Sequence, residues 1–231
     1  MTAHGFFITG TDTGVGKTLI ACALLHALAA RGLRVIGMKP VAAGAHEESG
    51  RLVNDDVTAL NAASNVTAAD DFVNPYCFAM PIAPHIAAAK AGVSIDLARL
   101  QNAYAALASC ADCVIVEGVG GFRVPLGAEL DTSHLAARLQ LPVVLVVGMR
   151  LGCINHALLT TAAIEAAGLP LAGWVANHIE PDMGCAIENV RALQERLCVP
   201  LLARVSYAPD VHPARVTKEI DVGLMYLPRV A

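Results

Sequence analysis

The chain reads Gly10-Thr11-Asp12-Thr13-Gly14-Val15-Gly16-Lys17-Thr18 directly after an apolar run, Gly5–Thr9, and at the start of an Ala/Leu-rich stretch, Lys17–Arg31. The apolar run predicts a buried strand and the Ala/Leu-rich stretch predicts a helix. Glycines allow the connecting backbone to come close to a ligand, and the N–H groups at a helix N-terminus point at anions. The Gly-Lys-Thr ending in this context predicts a phosphate-binding loop rather than an ordinary glycine-rich turn.

Two side chains of this loop are candidates for direct contacts with a nucleotide. Lys17 is expected to contact the β- and γ-phosphates, and the hydroxyl group of Thr18 is expected to bind Mg²⁺. The spacing differs from the common motif, because one additional residue separates Gly10 from Gly16.

Length and composition limit the class of protein. With 231 residues, 55% of them hydrophobic and 16% charged, the chain suits a single α/β domain over residues 1–231 and not a disordered protein. The net charge of −4, without any block of Lys or Arg, argues against a nucleic-acid partner. The apolar runs are too short to span a membrane, and the first begins too early to leave room for a secretory signal. We therefore expect a cytoplasmic protein without a membrane or nucleic-acid partner.

Short apolar runs alternate with Ala/Leu-rich stretches along the chain. Strands are predicted at Gly5–Thr9, Arg34–Met38, Cys113–Glu117, Val143–Gly148, Ala172–Asn177, Leu201–Val205 and Val222–Leu227. Helices are predicted at Lys17–Arg31, Asp56–Ala62, Asp96–Ser109, Asp131–Leu139, Asn155–Ala167 and Ala186–Leu197. This alternation predicts an α/β fold with a doubly wound, mostly parallel sheet, whose ligands bind at the carboxyl ends of the strands.

Acidic residues at two places are candidates for binding a metal ion. Glu117 ends a predicted strand, and Gly118-Val119-Gly120-Gly121 follows it. An acid at this position helps to hold Mg²⁺ in enzymes with a phosphate-binding loop, although a strand-ending acid can also simply face water. Asp55 and Asp56 open a predicted helix, so either one caps the helix while the other binds the metal, or both serve the cap.

Lys39 and Asn177 also lie at the ends of predicted strands. The ammonium group of Lys39 could stabilise the oxygens of a transferring phosphoryl group, and an ordinary solvated lysine is the alternative. The amide of Asn177 could pair with a purine edge, and a turn-forming asparagine is the alternative. The chain lacks the Asn-Lys-x-Asp motif of guanine-binding proteins, which favours ATP as the nucleotide.

A set of short blocks resembles one enzyme family, the dethiobiotin synthetases. The blocks are Thr9-Gly10-Thr11-Asp12-Thr13, Val15-Gly16-Lys17-Thr18, Lys39-Pro40-Val41, Asn74-Pro75-Tyr76, Pro84-His85, Val116-Glu117-Gly118, Gly120-Gly121, Leu151-Gly152-Cys153-Ile154-Asn155-His156 and Gly173-Trp174-Val175-Ala176-Asn177. The Gly-Lys-Thr loop is shared with many ATPases, whereas the Asn-Pro-Tyr and Leu-Gly-Cys-Ile-Asn-His blocks are more specific to the family. The tail after residue 180 matches weakly.

The resemblance implies a P-loop NTPase-like enzyme of biotin biosynthesis that acts as a cytoplasmic homodimer. Its substrates would be 7,8-diaminononanoate, CO₂ and ATP, and it would use Mg²⁺. One amine takes up CO₂ as a carbamate, whose oxygen attacks the γ-phosphate to give a mixed carbamic–phosphoric anhydride. The second amine then attacks that carbonyl, closes the ureido ring of dethiobiotin and expels phosphate.

By position, the resemblance also implies roles for individual residues. Lys17, Lys39 and Thr13 would serve catalysis, and Mg²⁺ would be held by Thr18, Asp56 and Glu117. The nucleotide would contact Gly14, Val15, Gly16, Lys17, Thr18, Leu19, Asp56, Glu117, Gly118, Val119, Gly120, Asn177, His178, Ser206, Tyr207 and Ala208. The diamine would contact Ala43 and a helix N-terminus of the partner subunit formed by Gly152, Cys153, Ile154 and Asn155. Two positions depart from the family pattern, because Gly14 replaces a frequent Glu and Ala43 replaces a Ser that commonly touches the diamine.

A nucleotide-dependent switch of the partition or division-site ATPase kind is the alternative function. Those proteins carry a lysine early in the phosphate-binding loop and often a basic amphipathic tail for membranes. Here Thr11, Asp12 and Thr13 occupy the early loop, and the segment Val222–Ala231 is not a basic amphipathic helix. Both features favour the enzyme.

Overall fold

Ten strands occur in the computed structural model, which describes residues 4–225. They are β1 (His4–Gly10), β2 (Val35–Met38), β3 (Val41–Ala43), β4 (His46–Glu48), β5 (Arg51–Val53), β6 (Tyr76–Phe78), β7 (Cys113–Glu117), β8 (Val143–Met149), β9 (Leu171–His178) and β10 (Leu201–Val205). Six of them form a central sheet in the order β10-β9-β8-β1-β7-β2, and all neighbours in it are parallel. The predicted parallel sheet is therefore confirmed, with two small satellite sheets, β3-β6 and β4-β5.

Helices cover both faces of the central sheet. They are α1 (Lys17–Ala29), α2 (Asp55–Ala63), α3 (Asp70–Val73), α4 (Pro84–Lys90), α5 (Leu97–Cys110), α6 (Thr132–Leu139), α7 (Cys153–Ala166), α8 (Ala186–Arg196) and α9 (Pro213–Val216). Residues of α1, α2 and α9 contribute to the core on one face, and residues of α5 to α8 contribute to the core on the other. The sheet is thus doubly wound. No helix within residues 4–225 has both the length and the apolar character needed to cross a bilayer.

The strand β8 shows why the sequence produces this layered core. All of its residues are buried. Val144 and Val146 pack on the face covered by α1, whereas Leu145 and Val147 pack on the face covered by α7 and α8. A strand that is covered on both faces must be apolar at consecutive positions, which accounts for the uninterrupted hydrophobic run.

The order of the strands determines where a ligand can bind. β1 lies between β7 and β8, so the chain builds the β2–β7 side of the sheet first and the β8–β10 side afterwards. Doubly wound sheets open a crevice at the carboxyl ends of the strands where the order reverses. The loop after β1 and the residues after β7 both begin at this edge.

One predicted element is wrong in type, and several others differ from the structure by one or two residues at their ends, most clearly helix α7 at its start. Within the predicted strand Val222–Leu227, residues 222–225 do not form a strand, because Val222–Leu224 forms a 3₁₀-helix in which Val222 packs into the core with α1. Residues 226–227 of that prediction lie outside the described part. Helix α7 begins at Cys153 rather than at Asn155, with Gly152 as its N-cap. The short strands β3 to β6 were not predicted, because three residues carry too little periodicity to distinguish a strand from a loop.

Candidate active site

The phosphate-binding loop joins β1 to α1, and glycine is required at its last position before the helix. Gly16 has a φ of 88°, in the left-handed region, and it is the N-cap of α1. A Cβ atom on Gly16 would lie 2.3 Å from Nδ2 of Asn177, so no other residue fits without displacing that amide. Lys17 reaches back along the loop, and its ammonium group donates a hydrogen bond to the main-chain oxygen of Asp12 at 3.0 Å.

The carboxylate of Asp12 accepts hydrogen bonds from its own loop and from the residue that follows β8. Its Oδ1 accepts a hydrogen bond from the N–H of Thr13 at 2.7 Å, and its Oδ2 accepts one from the guanidinium of Arg150 at 2.6 Å. The Thr13 N–H, and after it Arg150, hold the pKa of Asp12 below its ordinary value. Arg150 follows β8 directly. Sequence reasoning did not identify this ion pair, and the position of Arg150 at a strand end was the one available signal.

Three oxygen-bearing side chains meet at the carboxyl edge of the sheet although they are far apart in the sequence. Oγ1 of Thr18 lies 2.8 Å from Oδ1 of Asp56 and 2.8 Å from Oε1 of Glu117. Hydroxyl and carboxylate oxygens are the hard ligands that Mg²⁺ prefers. The other oxygen of Glu117, Oε2, is buried and has no partner among the described residues. The donor set and this unpaired oxygen fit a hard divalent cation.

Asn54, and neither of the two aspartates, caps helix α2. Its Oδ1 accepts hydrogen bonds from the N–H groups of Asp56 at 3.1 Å and Val57 at 3.4 Å. Asp55 points into solvent, with 96% of its side chain exposed, while Asp56 lines the cavity described below. The prediction that an aspartate caps this helix is wrong, and because Asn54 serves the cap, the carboxylate of Asp56 is available for the cavity.

Lys39 is a buried cation held between the same two acids. Its ammonium group lies 2.7 Å from Oδ2 of Asp56 and 2.6 Å from Oε1 of Glu117, and only 4% of its side chain is exposed. The alternative of a solvated lysine is therefore wrong. Burial by itself would lower the pKa of Lys39, but the two carboxylates outweigh it and raise that pKa above its ordinary value.

The two acids respond differently to the same surroundings. Complete burial raises the pKa of Glu117, although Lys39 opposes this shift. Burial also favours the neutral form of Asp56, but Lys39 and Thr18 outweigh it and lower the pKa of Asp56. Glu117 therefore depends on a neighbouring cation to stay ionised more than Asp56 does.

The backbone at Lys39 is held by the Asn-Pro-Tyr block. The side-chain amide of Asn74 donates hydrogen bonds to the main-chain oxygens of Lys39 at 2.6 Å and Tyr76 at 3.1 Å. The N–H of Lys39 donates to the main-chain oxygen of Val73 at 2.8 Å. The Asn-Pro-Tyr block thus has a structural function. It holds the main chain just after β2, so that the side chain of Lys39 points at the two acids.

Lys17 lies in a different electrostatic environment from Lys39. Burial, and after it the charge of Lys39, lower the pKa of Lys17 to about 8. Its hydrogen-bond acceptor is a main-chain oxygen rather than a carboxylate. A phosphate group beside Lys17 would favour the charged form of this amine.

These side chains share one cavity of about 790 Å³, a volume suited to a small-molecule ligand. The predicted site residues in its wall are Thr13, Gly14, Gly16, Lys17, Thr18, Lys39, Ala43, Asp56, Glu117, Val119 and Gly120. Sequence reasoning missed the other wall residues, namely Asp12, Pro81, Ile82, Ala83, Pro84, Gly121 and Val124. The segment 81–84 supplies apolar surface, and the Pro84-His85 block was its signal in the sequence.

Three predicted contact residues lie beside the cavity but do not line it. The side chains of Val15 and Leu19 pack into the core on the α1 face. A Cβ atom on Gly118 would lie 3.1 Å from the ring of Phe7, so this residue also packs inward. A ligand in the cavity could reach these residues only through their main chain.

The predicted adenine-binding residues form a separate group at the end of β9. Val205 pairs with Asn177, so Ser206, Tyr207 and Ala208 leave the sheet beside Asn177 and His178. These five residues lie outside the cavity wall. Asn177 lies inside β9, and its Nδ2 donates to the main-chain oxygen of Val15 at 2.8 Å, so the turn-forming alternative is wrong.

The predicted partner-contributed segment lies at the start of α7, also outside the cavity wall of its own subunit. Gly152, with a φ of 92°, is the N-cap, and no side chain caps this end. Cys153 is buried, whereas Gly152 and Asn155 are exposed and Ile154 is half-buried. The first-turn N–H groups of α7 are thus not covered by a capping side chain.

A family model and a solved structure support the fold described above. An AAA domain family model matches residues 4–215. The septum site-determining protein MinD of Pyrococcus horikoshii, solved as a complex with Mg-ADP, superimposes with a TM-score of 0.55 over 90% of this chain and 83% of that chain. Its sequence identity is 17%, so this likeness shows a shared fold alone.

Much higher sequence identity connects the chain to curated enzymes. The ATP-dependent dethiobiotin synthetase BioD of Aromatoleum aromaticum is 55% identical over 217 residues, which cover 94% of this chain and 96% of the relative. The protein of the same name from Nitrosospira multiformis is 56% identical over 211 residues, covering 91% of each chain. Identity of this extent over nearly the full length means that the chain belongs to the ATP-dependent dethiobiotin synthetase family.

Proposed function

We propose that this protein closes the ureido ring of dethiobiotin from 7,8-diaminononanoate, CO₂ and ATP, with release of ADP and phosphate. The observation that carries the proposal is the buried Lys39, which lies between two acids in the wall of the cavity that also contains the phosphate-binding loop. A reaction that joins a carbamate to a phosphoryl group develops negative charge at this place. Membership of the family supplies the identity of the substrates.

The nucleotide is assigned to the phosphate-binding loop and to the ends of β7 and β9. Its phosphates would be bound by the main chain of Gly14–Leu19 and by the ammonium group of Lys17. Glu117–Gly120 would run beside them. Adenine would border Asn177, His178 and the segment 206–208, which are neighbours at the end of the sheet.

Mg²⁺ is assigned to Thr18, Asp56 and Glu117, whose oxygens already converge. The ion, when bound, would neutralise charge on the phosphates. Asp56 supports the assignment, because its lowered pKa keeps it ionised at neutral pH. The buried Oε2 of Glu117, which has no hydrogen-bond partner within residues 4–225, supports it as well.

The reacting atoms are assigned to the space between the two lysines. Lys39 would neutralise the carbamate and the oxygens of the developing anhydride, and Lys17 would neutralise the transferring phosphoryl group. Thr13, which also lines the cavity, would lie beside the carbamate. Charges that are already in place before the reaction need no reorganisation as the transition state forms, which lowers its energy. The apolar segment 81–84 and Ala43 would face the hydrocarbon chain of the diamine.

We further propose that each subunit is a single domain and that two subunits form a cytoplasmic homodimer through α7 and α8. Leu151 is 96% exposed, Leu159 is 64% exposed and Ile187 is 60% exposed. Helices α7 and α8 contact each other, and exposed large apolar side chains that form a continuous patch are typical of a protein-binding surface. The start of α7, at Gly152–Asn155, has no capping side chain and would then receive the substrate carboxylate of the partner's site, because the first-turn N–H groups and the helix dipole favour an anion. Of these N–H groups, that of Cys153 already donates to the main-chain oxygen of Arg150 at 3.0 Å.

Mixing two inactive variants is expected to restore activity if each site is shared between subunits. Lys17→Ala removes the phosphate-binding half of a site, and Asn155→Asp places a repelling carboxylate at the start of α7. One of the two sites of each mixed dimer would keep both halves intact, so the isolated mixed dimer should regain about half of the wild-type activity by C₂ symmetry. Activity is measured on mixed dimers isolated with two different affinity tags.

The matched control mixes Lys17→Ala with Glu117→Gln, which both damage the nucleotide half. Every site in that mixture carries a defect in the same half, so no activity should return. An isolated mixed dimer of Lys17→Ala and Asn155→Asp that stays inactive would show that the site lies within one subunit.

The proposed reaction is tested by direct product detection. Purified protein is incubated with 7,8-diaminononanoate, bicarbonate, Mg²⁺ and ATP, and dethiobiotin and ADP are quantified together. We expect equal amounts of the two products and no ADP without the diamine. ADP release that does not depend on the diamine, without dethiobiotin, would instead support the nucleotide switch.

A further inference from the structure

The side-chain amide of Asn177 physically joins the end of β9 to the phosphate-binding loop. Its Nδ2 donates to the main-chain oxygen of Val15 at 2.8 Å, and the two residues are 162 positions apart in the sequence. Asn177 is 5% exposed, so this hydrogen bond is shielded from water. A carbonyl oxygen can only accept, so the amide nitrogen rather than the amide oxygen must face Val15.

The residues around this hydrogen bond leave the loop little freedom. A Cβ atom on Gly16 would approach Nδ2 of Asn177 to 2.3 Å, which shows how closely the amide packs against the loop. The side chain of Val15 packs closely between Gly10 of β1 and Gly148 of β8. Cβ atoms added to these glycines would lie only 2.5 Å and 2.6 Å from the two methyl groups of Val15. Val15 is thus held by packing at its side chain and by Asn177 at its carbonyl group.

Fixing the carbonyl group of Val15 also fixes the direction of the next N–H group. The C=O of Val15 and the N–H of Gly16 belong to one planar trans peptide, in which they point in opposite directions. If the carbonyl points at Asn177, the N–H of Gly16 points away from Asn177. Gly16 lines the cavity that contains Lys17 and Thr18.

We propose that Asn177 is a positioning residue for phosphate binding, which orients the Val15–Gly16 peptide so that the N–H of Gly16 faces the phosphates. This role rests on the proposed binding of ATP by the loop, and it is independent of any contact between Asn177 and adenine. It differs from base recognition in one respect that can be measured, because it affects phosphate ligands that carry no base.

The test compares the affinities of Mg-ATP and of inorganic tripolyphosphate with Mg²⁺, both measured by calorimetry. Asn177→Leu keeps a similar side-chain size but removes the donor. We expect this variant to bind both ligands about tenfold more weakly, the effect of one lost hydrogen bond to the loop. A tripolyphosphate affinity equal to that of the wild type would overturn the proposal and leave base recognition as the function of Asn177. If Leu prevents folding, Asn177→Ala carries the same expectation.

Two control variants separate this role from its alternatives. His178→Ala, at the neighbouring strand end, should weaken ATP binding without weakening tripolyphosphate binding. Val175→Ala removes a fully buried side chain of the same strand, so it should lower the melting temperature and leave the tripolyphosphate affinity unchanged. A loss of tripolyphosphate affinity in Val175→Ala equal to that in Asn177→Leu would overturn the proposal, because general weakening of β9 would then explain both. If the wild type binds neither Mg-ATP nor tripolyphosphate, the proposed nucleotide site itself is overturned.

Discussion

Glu117→Gln is expected to fold and to lose turnover by about two orders of magnitude or more, because even indirect partners of metal ligands are worth roughly 10–100-fold. Glutamine keeps one oxygen that can accept the hydrogen bonds of Thr18 and Lys39, which are made by Oε1 in the wild type. Its amide nitrogen would replace Oε2, the buried atom without a partner among the described residues. An N–H group in that place repels a cation, so the loss should concern metal binding rather than folding.

The measurements are the rate as a function of Mg²⁺ concentration and the affinity for ATP with and without Mg²⁺. We expect the Mg²⁺ requirement to rise and the Mg²⁺-free ATP affinity to stay close to that of the wild type. The melting temperature should fall less than in Lys39→Gln, because Asp56 still neutralises the buried Lys39. Asp112→Asn is the matched control, because this acid precedes the same strand at the opposite edge of the sheet and pairs with Arg34. It should keep the wild-type rate. A well-folded Glu117→Gln protein with normal turnover would remove Glu117 from the proposed metal site.

Lys39→Gln is expected to keep ATP binding and to lose kcat by about 10²–10³, the typical effect of removing one preorganised group that stabilises transition-state charge. The proposed contact of Lys39 is strongest when the anhydride forms, so its removal should affect turnover more than ground-state binding. The measurement is kcat together with the dissociation constant of Mg-ATP. A variant that binds ATP poorly and keeps its kcat would make Lys39 a binding residue.

The structure adds a second effect that must be separated from catalysis. Lys39→Gln leaves the carboxylate of Glu117 buried without its cation, and stripping one partner from a buried pair costs about 3–5 kcal/mol. The melting temperature of Lys39→Gln should therefore fall. The double variant Lys39→Gln/Glu117→Gln removes both charges, so we expect it to recover stability without recovering kcat. Because Glu117→Gln lowers turnover by itself, it is the reference for kcat: a double variant that turns over as fast as Glu117→Gln alone would show that Lys39 acts only by keeping the site folded.

The sequence by itself determined the fold class and the site of the phosphate-binding loop. Both depend on local patterns. Strands that are buried on both faces must be apolar at consecutive positions, and β8 and β7 show this directly in their sequences. The loop needs glycine for its backbone and Lys-Thr at the start of a helix, and these residues are contiguous. The parallel sheet and its helices were therefore predictable, while the three-residue strands and the 3₁₀-helix at Val222–Leu224 were too short to show a period.

Only the tertiary structure decided which contacts Lys39, Asp56 and Asn177 make. Each lies near the end of a strand or the start of a helix. At such positions the local sequence does not distinguish a functional residue from a solvated lysine, a capping aspartate or a turn-forming asparagine. Lys39 is buried because β2 lies next to β7, which brings Glu117 within 2.6 Å of its ammonium group. Asp56 faces the cavity because Asn54 serves as the cap of α2. Asn177 reaches Val15 because β9 and the loop after β1 meet at the same edge of the sheet. These contacts follow from the lateral order of the strands, which depends on the packing of the whole chain and not on any one segment.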